Sequence, residues 1–179
     1  MRFNEKTFEI NYCAQASAYW APQFRTVWWG LTQRQERQYG FDAATMVGSR
    51  YVIFQFKMLK RTNTEARYGE LRYQAEHFQM VDLRRRAKRN GAVFYVLPTI
   101  ETMAELLRNS DLIQQSWLLD VAQLPDPIQQ PSGVYNIANR RGVPPHRIYL
   151  TPPTGVVHSE PMDVKVKGFK DVFKPEQDK

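Results

Sequence analysis

Two acids, an amide and a lysine lie between residues 36 and 57 of the chain: Glu36, Asp42, Gln55 and Lys57. Carboxylate and amide oxygens are the ligands that Mg²⁺ prefers in proteins, and an ammonium group can stabilise the negative charge of a reacting phosphate. If folding brings the four side chains together, they could hold a divalent cation and support metal-assisted hydrolysis. The first question is therefore which elements would position them.

A short helix followed by a β-hairpin would carry these residues. Thr32 and Gln35 have the spacing of a capping box, which predicts a helix that begins there, contains Glu36 and ends at Gly40. Two apolar segments then flank Gly48-Ser49, a pattern typical of two strands joined by a two-residue turn.

The position of that turn predicts the register of the hairpin. Counting outward from it pairs Asp42 with Gln55, and side chains of a strand alternate between faces, so Lys57 shares their face. The other face carries the apolar side chains of the second strand: Val52, Phe54 and Phe56. An ion pair between Asp42 and Lys57 on a half-exposed sheet face is the alternative to a cation site.

At these residues the chain resembles the PD-(D/E)xK nuclease superfamily, which has the restriction-endonuclease-like fold. The family pattern is a helix carrying a Glu, an Asp at the start of a strand, and an acid, any residue and a Lys on the next strand. Glu36, Asp42, Gln55 and Lys57 are similar to that order, with Gln55 standing where the acid usually does. Variants with Q-x-K resemble the members of this superfamily that are found in restriction and antiviral-defence effectors. The resemblance covers about residues 5–100.

The resemblance implies a metal-dependent DNA endonuclease that uses Mg²⁺, with Mn²⁺ as a substitute. Asp42 and Glu36 would bind the metal, and Gln55 would contribute a neutral oxygen or position a water molecule. Lys57 would orient the attacking water or stabilise charge in the transition state. Two alternatives stay open: a catalytically degenerate domain that binds nucleic acid or a protein partner, and a structural protein whose basic helix meets an acidic partner.

The charge balance favours a polyanionic partner such as nucleic acid. Lys and Arg number 25 against 18 Asp and Glu, giving a net charge of +7. The candidate phosphate contacts are Arg25, Lys60, Arg61, Arg84, Arg85, Arg86, Lys88 and Arg89. The run from 84 to 89 holds more positive charge than the dipole of a helix C-terminus needs. Trp28 and Trp29 could stack on bases, although paired tryptophans are more often core residues.

Local patterning predicts an α/β fold with a mixed sheet flanked by helices. We expect a helix over residues 5–20 (with a strand over 8–12 as the alternative), a polar loop after residue 57, a helix over 70–90, a buried strand over 92–98 and a helix over 99–109. Residues 116–125 could extend that helix or form a strand. Within the helix predicted over 70–90, Gln74 and Phe78 have the spacing of the Q-x-x-x-Y element of some exonuclease branches, and His77 is expected to be exposed or hydrogen-bonded rather than catalytic.

The chain divides into a predicted nuclease-like core over residues 1–124 and a Pro-rich extension over 125–179, packed on the core and ending in a partly flexible tail. Nine of the 11 prolines lie between Pro125 and Pro175, which excludes long helices there. We expect this extension to be mostly extended, with short extended segments at residues 146–150 and 154–160 separated by Pro-rich turns. His146, His158, Glu160 and Asp163 occur in this part without the spacing of a metal site.

The sequence also bounds the setting of the protein. Cys13 is the only cysteine, so no internal disulfide and no cysteine-based zinc site can form, which fits a reducing, cytoplasmic environment. No apolar run approaches the roughly 20 residues of a membrane span. The composition leaves the oligomeric state open and is compatible with a homodimer.

Overall fold

The computed structural model describes residues 1–59, 70–108, 111–124, 146–151, 156–159 and 162–174. The predicted phosphate contacts Lys60 and Arg61 lie outside these residues, as do Glu160 and the side chains of His146, His158 and Asp163. The helices are α1 (Glu5–Trp20), α2 (Gln33–Tyr39), α3 (His77–Asn90), α4 (Met103–Arg108) and α5 (Phe169–Val172). The strands are β1 (Trp28–Gly30), β2 (Ala43–Val47), β3 (Arg50–Phe56), β4 (Leu71–Ala75), β5 (Val93–Pro98), β6 (Ser116–Asp120), β7 (His146–Thr151), β8 (Val156–Ser159), β9 (Met162–Lys165) and β10 (Lys167–Gly168).

The larger sheet has six strands in the order β1-β2-β3-β5-β6-β10. Its neighbours are antiparallel except for β3 and β5, which are parallel. The crossover between β3 and β5 includes β4 and α3, as a parallel pair requires a long connection. The predicted α/β class with a mixed sheet flanked by helices is confirmed.

A hydrophobic core covers each face of this sheet. On one face, Phe8 and Tyr12 of α1 pack edge-on against Phe56, and Phe169 of α5 contacts Tyr12. On the other face, Leu83 of α3 belongs to the same buried cluster as Ile53 of β3. The central strand β5 is buried at all six positions, as its continuous apolar run predicted. The helix predicted over residues 5–20 is confirmed as α1, and its alternative, a strand over 8–12, is wrong.

The second sheet is antiparallel, with the order β4-β7-β8-β9. The extended segments predicted at residues 146–150 and 154–160 are confirmed as the strands β7 (His146–Thr151) and β8 (Val156–Ser159), whereas β4 and the pairing of these strands were not predicted. Residues 71–75 were predicted to begin a helix, which is wrong, because they form β4 and pair with β7 from Leu71↔Leu150 to Ala75↔His146. Tyr73 and Ala75 are fully buried with period-two spacing. Leu71, Ala75 and Phe78 also have helical spacing, so only the distant partner strand decides between the two states.

The start of α3 follows from this correction. The helix begins at His77, after the N-cap residue Glu76, and ends where Gly91 adopts a left-handed conformation (φ 80°). Its C-terminus matches the predicted Asn90-Gly91 end. Gln74 and Phe78 lie on different elements, so the resemblance to a Q-x-x-x-Y element on one helix is wrong.

One further helix boundary differs from the prediction, and the structure also decides between the two alternatives for residues 116–120. The helix predicted from Thr99 begins at Met103, because Thr102 and Glu105 form the cap instead: Glu105 N–H donates to Thr102 Oγ1 at 3.2 Å and Thr102 N–H donates to Glu105 Oε2 at 2.8 Å. Thr99 N–H donates to Gln115 O at 2.8 Å and so belongs to a loop. Of the two alternatives for residues 116–120, the strand is correct.

Residues after 145 contribute to both sheets. β7, β8 and β9 complete the second sheet, and β10 pairs with β6 through Lys167↔Leu118. Phe169 is 1% exposed inside the core under α1. The tail is therefore more structured up to residue 174 than the sequence pattern indicated. Among the described residues, no helix has both the length and the apolar character to cross a membrane.

Candidate active site

The α2 helix and the β2–β3 hairpin form as the local sequence predicted. Thr32 Oγ1 accepts from Gln35 N–H at 3.4 Å, and Gln35 Oε1 accepts from Thr32 N–H at 3.0 Å, which is the predicted capping box. Gly40 ends the helix with φ 76°, and its N–H donates to Glu36 O at 2.7 Å. These bonds place Asp42 two residues after the helix end, where β2 begins.

The predicted register of the hairpin is confirmed from Val47↔Arg50 to Ala43↔Phe54. Gly48 has φ 59° and is the first of the two turn residues, where a type II′ turn places glycine. One step beyond the paired residues, Asp42 N–H donates to Phe54 O at 3.3 Å. Asp42 and Gln55 therefore lie side by side on the same face of the sheet, as expected.

Asp42 is a buried carboxylate held by two donors. Its Oδ2 accepts from Gln55 Nε2 at 2.5 Å and from Phe56 N–H at 2.7 Å. Asp42 is 7% exposed and Gln55 is 2% exposed, so neither is a solvated surface residue. Burial raises the pKa of Asp42, while the Phe56 N–H, the charge of Lys57 and the Gln55 amide oppose that rise.

Two amides connect Asp42 to Lys57. Lys57 Nζ donates to Gln79 Oε1 at 2.6 Å, and Gln79 Nε2 donates to Gln55 Oε1 at 2.9 Å. An ammonium group can only donate hydrogen bonds and a carboxylate can only accept them. Lys57 and Asp42, at the two ends of this series of hydrogen bonds, therefore fix the orientation of the Gln79 and Gln55 amides between them. We name the line Lys57–Gln79–Gln55–Asp42 the amide relay. It takes the place of the simple surface ion pair that was the alternative at this position.

Gln79 belongs to the site although the sequence did not single it out. It lies in the first turn of α3, next to the end of β3, because β4 occupies residues 71–75 and delays the start of the helix. A helix starting at residue 70 gave no reason to choose Gln79 over Gln74. The neighbouring His77 is buried, and burial lowers its pKa.

Glu5 is a second residue that the sequence patterns missed. It lies in the first turn of α1, and its pKa is raised to about 7, first by burial and then by repulsion from Asp42. The charge of Lys57 lowers the pKa of Glu5, so Glu5 interacts electrostatically with both charged ends of the amide relay. Nothing in the spacing between residue 5 and residue 42 indicates this approach, since it depends on where α1 packs across the sheet.

Glu36 lies near the same group but has a cation beside it. Lys6 Nζ is 3.6 Å from Glu36 Oε1 and 2.7 Å from Glu9 Oε1. Glu9 is buried, and its pKa is raised by burial despite the hydrogen bond from Lys6. Glu36 therefore contributes negative charge to the edge of the site, while its carboxylate is shared with Lys6.

The donor atoms at this position suit a hard divalent cation. Asp42 and Glu5 offer carboxylate oxygens whose ionised forms are disfavoured by burial, and a cation would relieve that cost. Mg²⁺ needs only one or two carboxylates when substrate phosphate and water complete its octahedron. Within the described ranges, no three His, Cys, Asp or Glu side chains are grouped as a ready metal site.

The candidate phosphate contacts on α3 do not form one surface. Arg85, Lys88 and Arg89 are exposed, with Arg85 Nη1 3.1 Å from Asp82 Oδ1. Arg84 and Arg86 are half-buried, and the Arg86 guanidinium lies over the ring of Phe41 at 5.5 Å. The exposed three share the outer side of the helix, as residues three or four apart do.

Arg25 is exposed in the loop before β1 and remains accessible to a phosphate.

Comparison with protein-family models, with curated proteins and with solved structures returned no match.

Proposed function

We propose that the chain is a metal-dependent phosphodiesterase that cleaves nucleic acid, with DNA as the expected substrate and Mg²⁺ or Mn²⁺ as the metal. The amide relay is the observation that carries the proposal, because it joins an ammonium group and a buried carboxylate at one end of the neighbouring strands β2 and β3. A second acid, Glu5, has a pKa that is raised by burial and by the charge of Asp42. Carboxylate oxygens for a metal and a cation for a phosphate are the two parts that such a reaction needs.

The proposal includes the restriction-endonuclease-like fold. The resemblance asks for a helix carrying a Glu, an Asp at the start of a strand, and Q-x-K on the next strand. α1 with Glu5 provides such a helix as well as α2 with Glu36. Asp42 immediately precedes β2, Gln55 lies near the end of β3, and Lys57 immediately follows that strand. In this version of the proposal, Glu5 joins Asp42 as a candidate metal ligand, and Glu36 supplies charge from the periphery.

Each residue of the site would have a different role in the proposed reaction. Asp42 and Glu5 would hold the metal, which when bound polarises the phosphate oxygens as a Lewis acid. Lys57 would orient a water molecule and stabilise negative charge on the phosphate, with Gln79 fixing the position of its ammonium group. Gln55, being neutral, would orient Asp42 through its amide N–H. The described cations Arg25, Arg84, Arg85, Arg86, Lys88 and Arg89 are the proposed contacts to phosphates away from the cleaved bond.

Removal of either end of the relay should test the chemistry. We expect Lys57→Ala and Asp42→Asn each to abolish Mg²⁺-dependent cleavage of DNA while the folded state is retained. Matched controls are Lys174→Ala and Asp111→Asn, which remove the same charges at positions outside the proposed site and should leave the rate of cleavage within about two-fold. The measurement is a cleavage assay on linear, circular, single-stranded and RNA substrates, with circular dichroism to check folding. Equal activity of Lys57→Ala and the wild type would contradict the proposal.

A second candidate function is nucleic-acid binding without hydrolysis. It is favoured by one observation: Gln55 is neutral, and its amide satisfies both Asp42 and Gln79 within the protein. The fold would then serve as a degenerate nuclease domain that binds nucleic acid or a protein partner. Strong binding with a steep salt dependence, and no cleavage with Mg²⁺ or Mn²⁺, would support this candidate over the enzyme. A homodimer and a cytoplasmic location belong to the proposal in either case.

A further inference from the structure

The two adjacent tryptophans of β1 have different environments. Trp28 is half-buried, its ring stacks on Trp20 at 6.0 Å, and its Nε1 donates to Ser17 Oγ at 2.6 Å. Trp29 faces the opposite side of the sheet and is 44% exposed. Alternation along a strand explains the separation, since neighbouring side chains point to opposite faces. Trp28 is thus a core residue, and Trp29 needs another explanation.

Trp29 lies beside Tyr51 on the face of the sheet that carries the amide relay. The two ring centroids are 5.9 Å apart with an interplanar angle of 54°. Trp29 pairs with Ala44, which pairs with Ile53, so all three share a face with Gln55, two residues further along β3. We name Trp29 and Tyr51 the aromatic platform.

The α3 helix carries one residue of the amide relay and a cation whose charge acts on Tyr51. Gln79 in its first turn bonds to Lys57, whereas Arg86 lies two turns later, 5.9 Å from the ring of Tyr39. Seven residues of helix span about 10 Å. Burial raises the pKa of Tyr51, and the charge of Arg86 opposes that rise.

The spacing of residues along β3 gives a similar separation between the aromatic platform and the amide relay. Tyr51 and Gln55 are four residues apart on one strand, which corresponds to about 13 Å. Two exposed cations lie close to the platform in sequence, namely Arg50, next to Tyr51 at the start of β3, and Arg25, four residues before Trp29. An exposed indole on a chain with a net charge of +7 suits a ligand that offers flat aromatic rings joined by negative charges. Nucleic-acid bases meet this description, but only where they are unpaired and free to leave their stack.

We propose that the aromatic platform binds an unpaired base of single-stranded nucleic acid, so that the strand runs beside α3 towards Asp42 and Lys57. The direction of the strand rests on the proposed function, whereas the binding of a base does not. The substrate class becomes single strands, or strands with unpaired nucleotides near the cleaved bond. Duplex DNA satisfies the electrostatic contacts but keeps its bases from the platform.

The test compares oligonucleotides that differ only in their bases. Binding is measured in EDTA, so that no cleavage occurs, by anisotropy of a labelled 15-mer of thymidine and of a 15-mer with the same number of phosphates and no bases. We expect the wild type to bind the thymidine strand about ten-fold more tightly than the abasic strand. Trp29→Ala should lose this preference without a change in affinity for the abasic strand, and Trp29→Phe should keep most of it.

The matched control is Val27→Ala, since Val27 is an apolar residue 55% exposed in the segment leading to the same strand. This variant should keep the preference for the thymidine strand. Equal affinity of the wild type for both strands would overturn the proposal. So would a wild-type dimer that becomes a monomer in Trp29→Ala with no change in base preference, because Trp29 would then contact a second copy of the chain.

Cleavage is measured separately with Mg²⁺. If the protein prefers the thymidine strand but cuts nothing, the aromatic platform is supported and the proposed enzyme function is contradicted. If the protein cuts duplex and single strands equally well and Trp29→Ala does not change the rate, the enzyme function is supported and the aromatic platform is contradicted.

Discussion

At the scale of single residues, Gln55 determines how the buried Asp42 carboxylate is stabilised. A glutamate at this position would place a second carboxylate against Asp42, whose Oδ2 now accepts the Gln55 amide at 2.5 Å. With Gln55, the relay from Lys57 to Asp42 is neutral in its middle and hydrogen-bonded at every step. An amide at this position therefore avoids repulsion of the buried Asp42 carboxylate and satisfies it with a hydrogen bond.

We predict that Gln55→Glu is destabilised by about 2 to 4 kcal/mol in EDTA at pH 8, because two buried carboxylates would then adjoin. Mg²⁺ should reverse most of this loss, since it would screen both charges, and metal affinity should rise relative to the wild type. Urea unfolding with and without Mg²⁺ measures the effect. Gln23→Glu, at an exposed position, is the matched control and should show neither change. An unaltered response to Mg²⁺ in Gln55→Glu would contradict a metal site at Asp42.

Glu5 gives a pH-dependent prediction. Its pKa of about 7 in the folded state lies above the ordinary value of 4.5, so the unfolded chain releases this proton first as pH rises. The free energy of unfolding of the wild type should therefore fall between pH 4.5 and pH 7, by up to about 3 kcal/mol from this group. Glu5→Gln should lack that component and be more stable than the wild type at pH 8.

Urea unfolding of both proteins in EDTA from pH 4 to pH 8 measures this difference. The acids Asp42, Glu9 and Glu36 and the cation Lys57 act on Glu5 and are present in both proteins, so the comparison isolates its titration. Parallel stability curves for Glu5→Gln and the wild type would show that Glu5 does not titrate in this range.

At the scale of elements, the end of α2 determines where Asp42 lies. Gly40 adopts φ 76°, a conformation that residues with a Cβ rarely take, and Asp42 follows two residues later at the start of β2. A Cβ on Gly40 would lie 3.7 Å from Asp82 Cβ, which is ordinary contact. The constraint is therefore the backbone conformation and not the available space.

We predict that Gly40→Ala lowers the free energy of unfolding by about 1 to 2 kcal/mol, the cost of a left-handed conformation with a Cβ. Gly30→Ala is the control, since a Cβ there meets nothing within 4 Å and φ is not in the left-handed region. It should change stability by less than about 0.5 kcal/mol. Gly40→Asn should be intermediate, because asparagine tolerates this conformation better than alanine. Equal stability of Gly40→Ala and Gly30→Ala would argue against a role of the left-handed helix end.

At the scale of the whole molecule, the end of the chain completes the core that supports α1. Phe169 of α5 is 1% exposed, and its ring lies 5.8 Å from Tyr12, 5.1 Å from Trp20 and 4.9 Å from Phe173. α1 in turn carries Glu5. The stability of the site therefore depends on a residue more than a hundred positions away from the hairpin in the sequence.

We predict that Phe169→Ala lowers the free energy of unfolding by about 3 to 5 kcal/mol, as expected for removal of a fully buried aromatic ring. Leu107→Ala is the control, because Leu107 is 80% exposed on α4 and should change stability by less than about 0.5 kcal/mol. Thermal and urea unfolding measure both variants. A loss below about 1 kcal/mol for Phe169→Ala would indicate that the C-terminal segment is peripheral to the core.

The sequence by itself determined α2, the β2–β3 hairpin and the shared face of Asp42, Gln55 and Lys57. The capping box and the Gly48-Ser49 turn act over a few residues, so their outcome does not depend on the rest of the chain. The buried strand β5 was also predictable, because its apolar run is continuous and bounded by Gly91 and Pro98.

Only the tertiary structure decided the partners of that hairpin. β4 has helical and strand periodicity at once, and its pairing with β7 settles the state. Gln79 reaches Lys57 only because β4 delays the start of α3, and Glu5 enters the field of Asp42 only because α1 packs across the sheet. These contacts join residues far apart in sequence, where no local pattern encodes which segments meet, so the hairpin was predictable and its completed site was not.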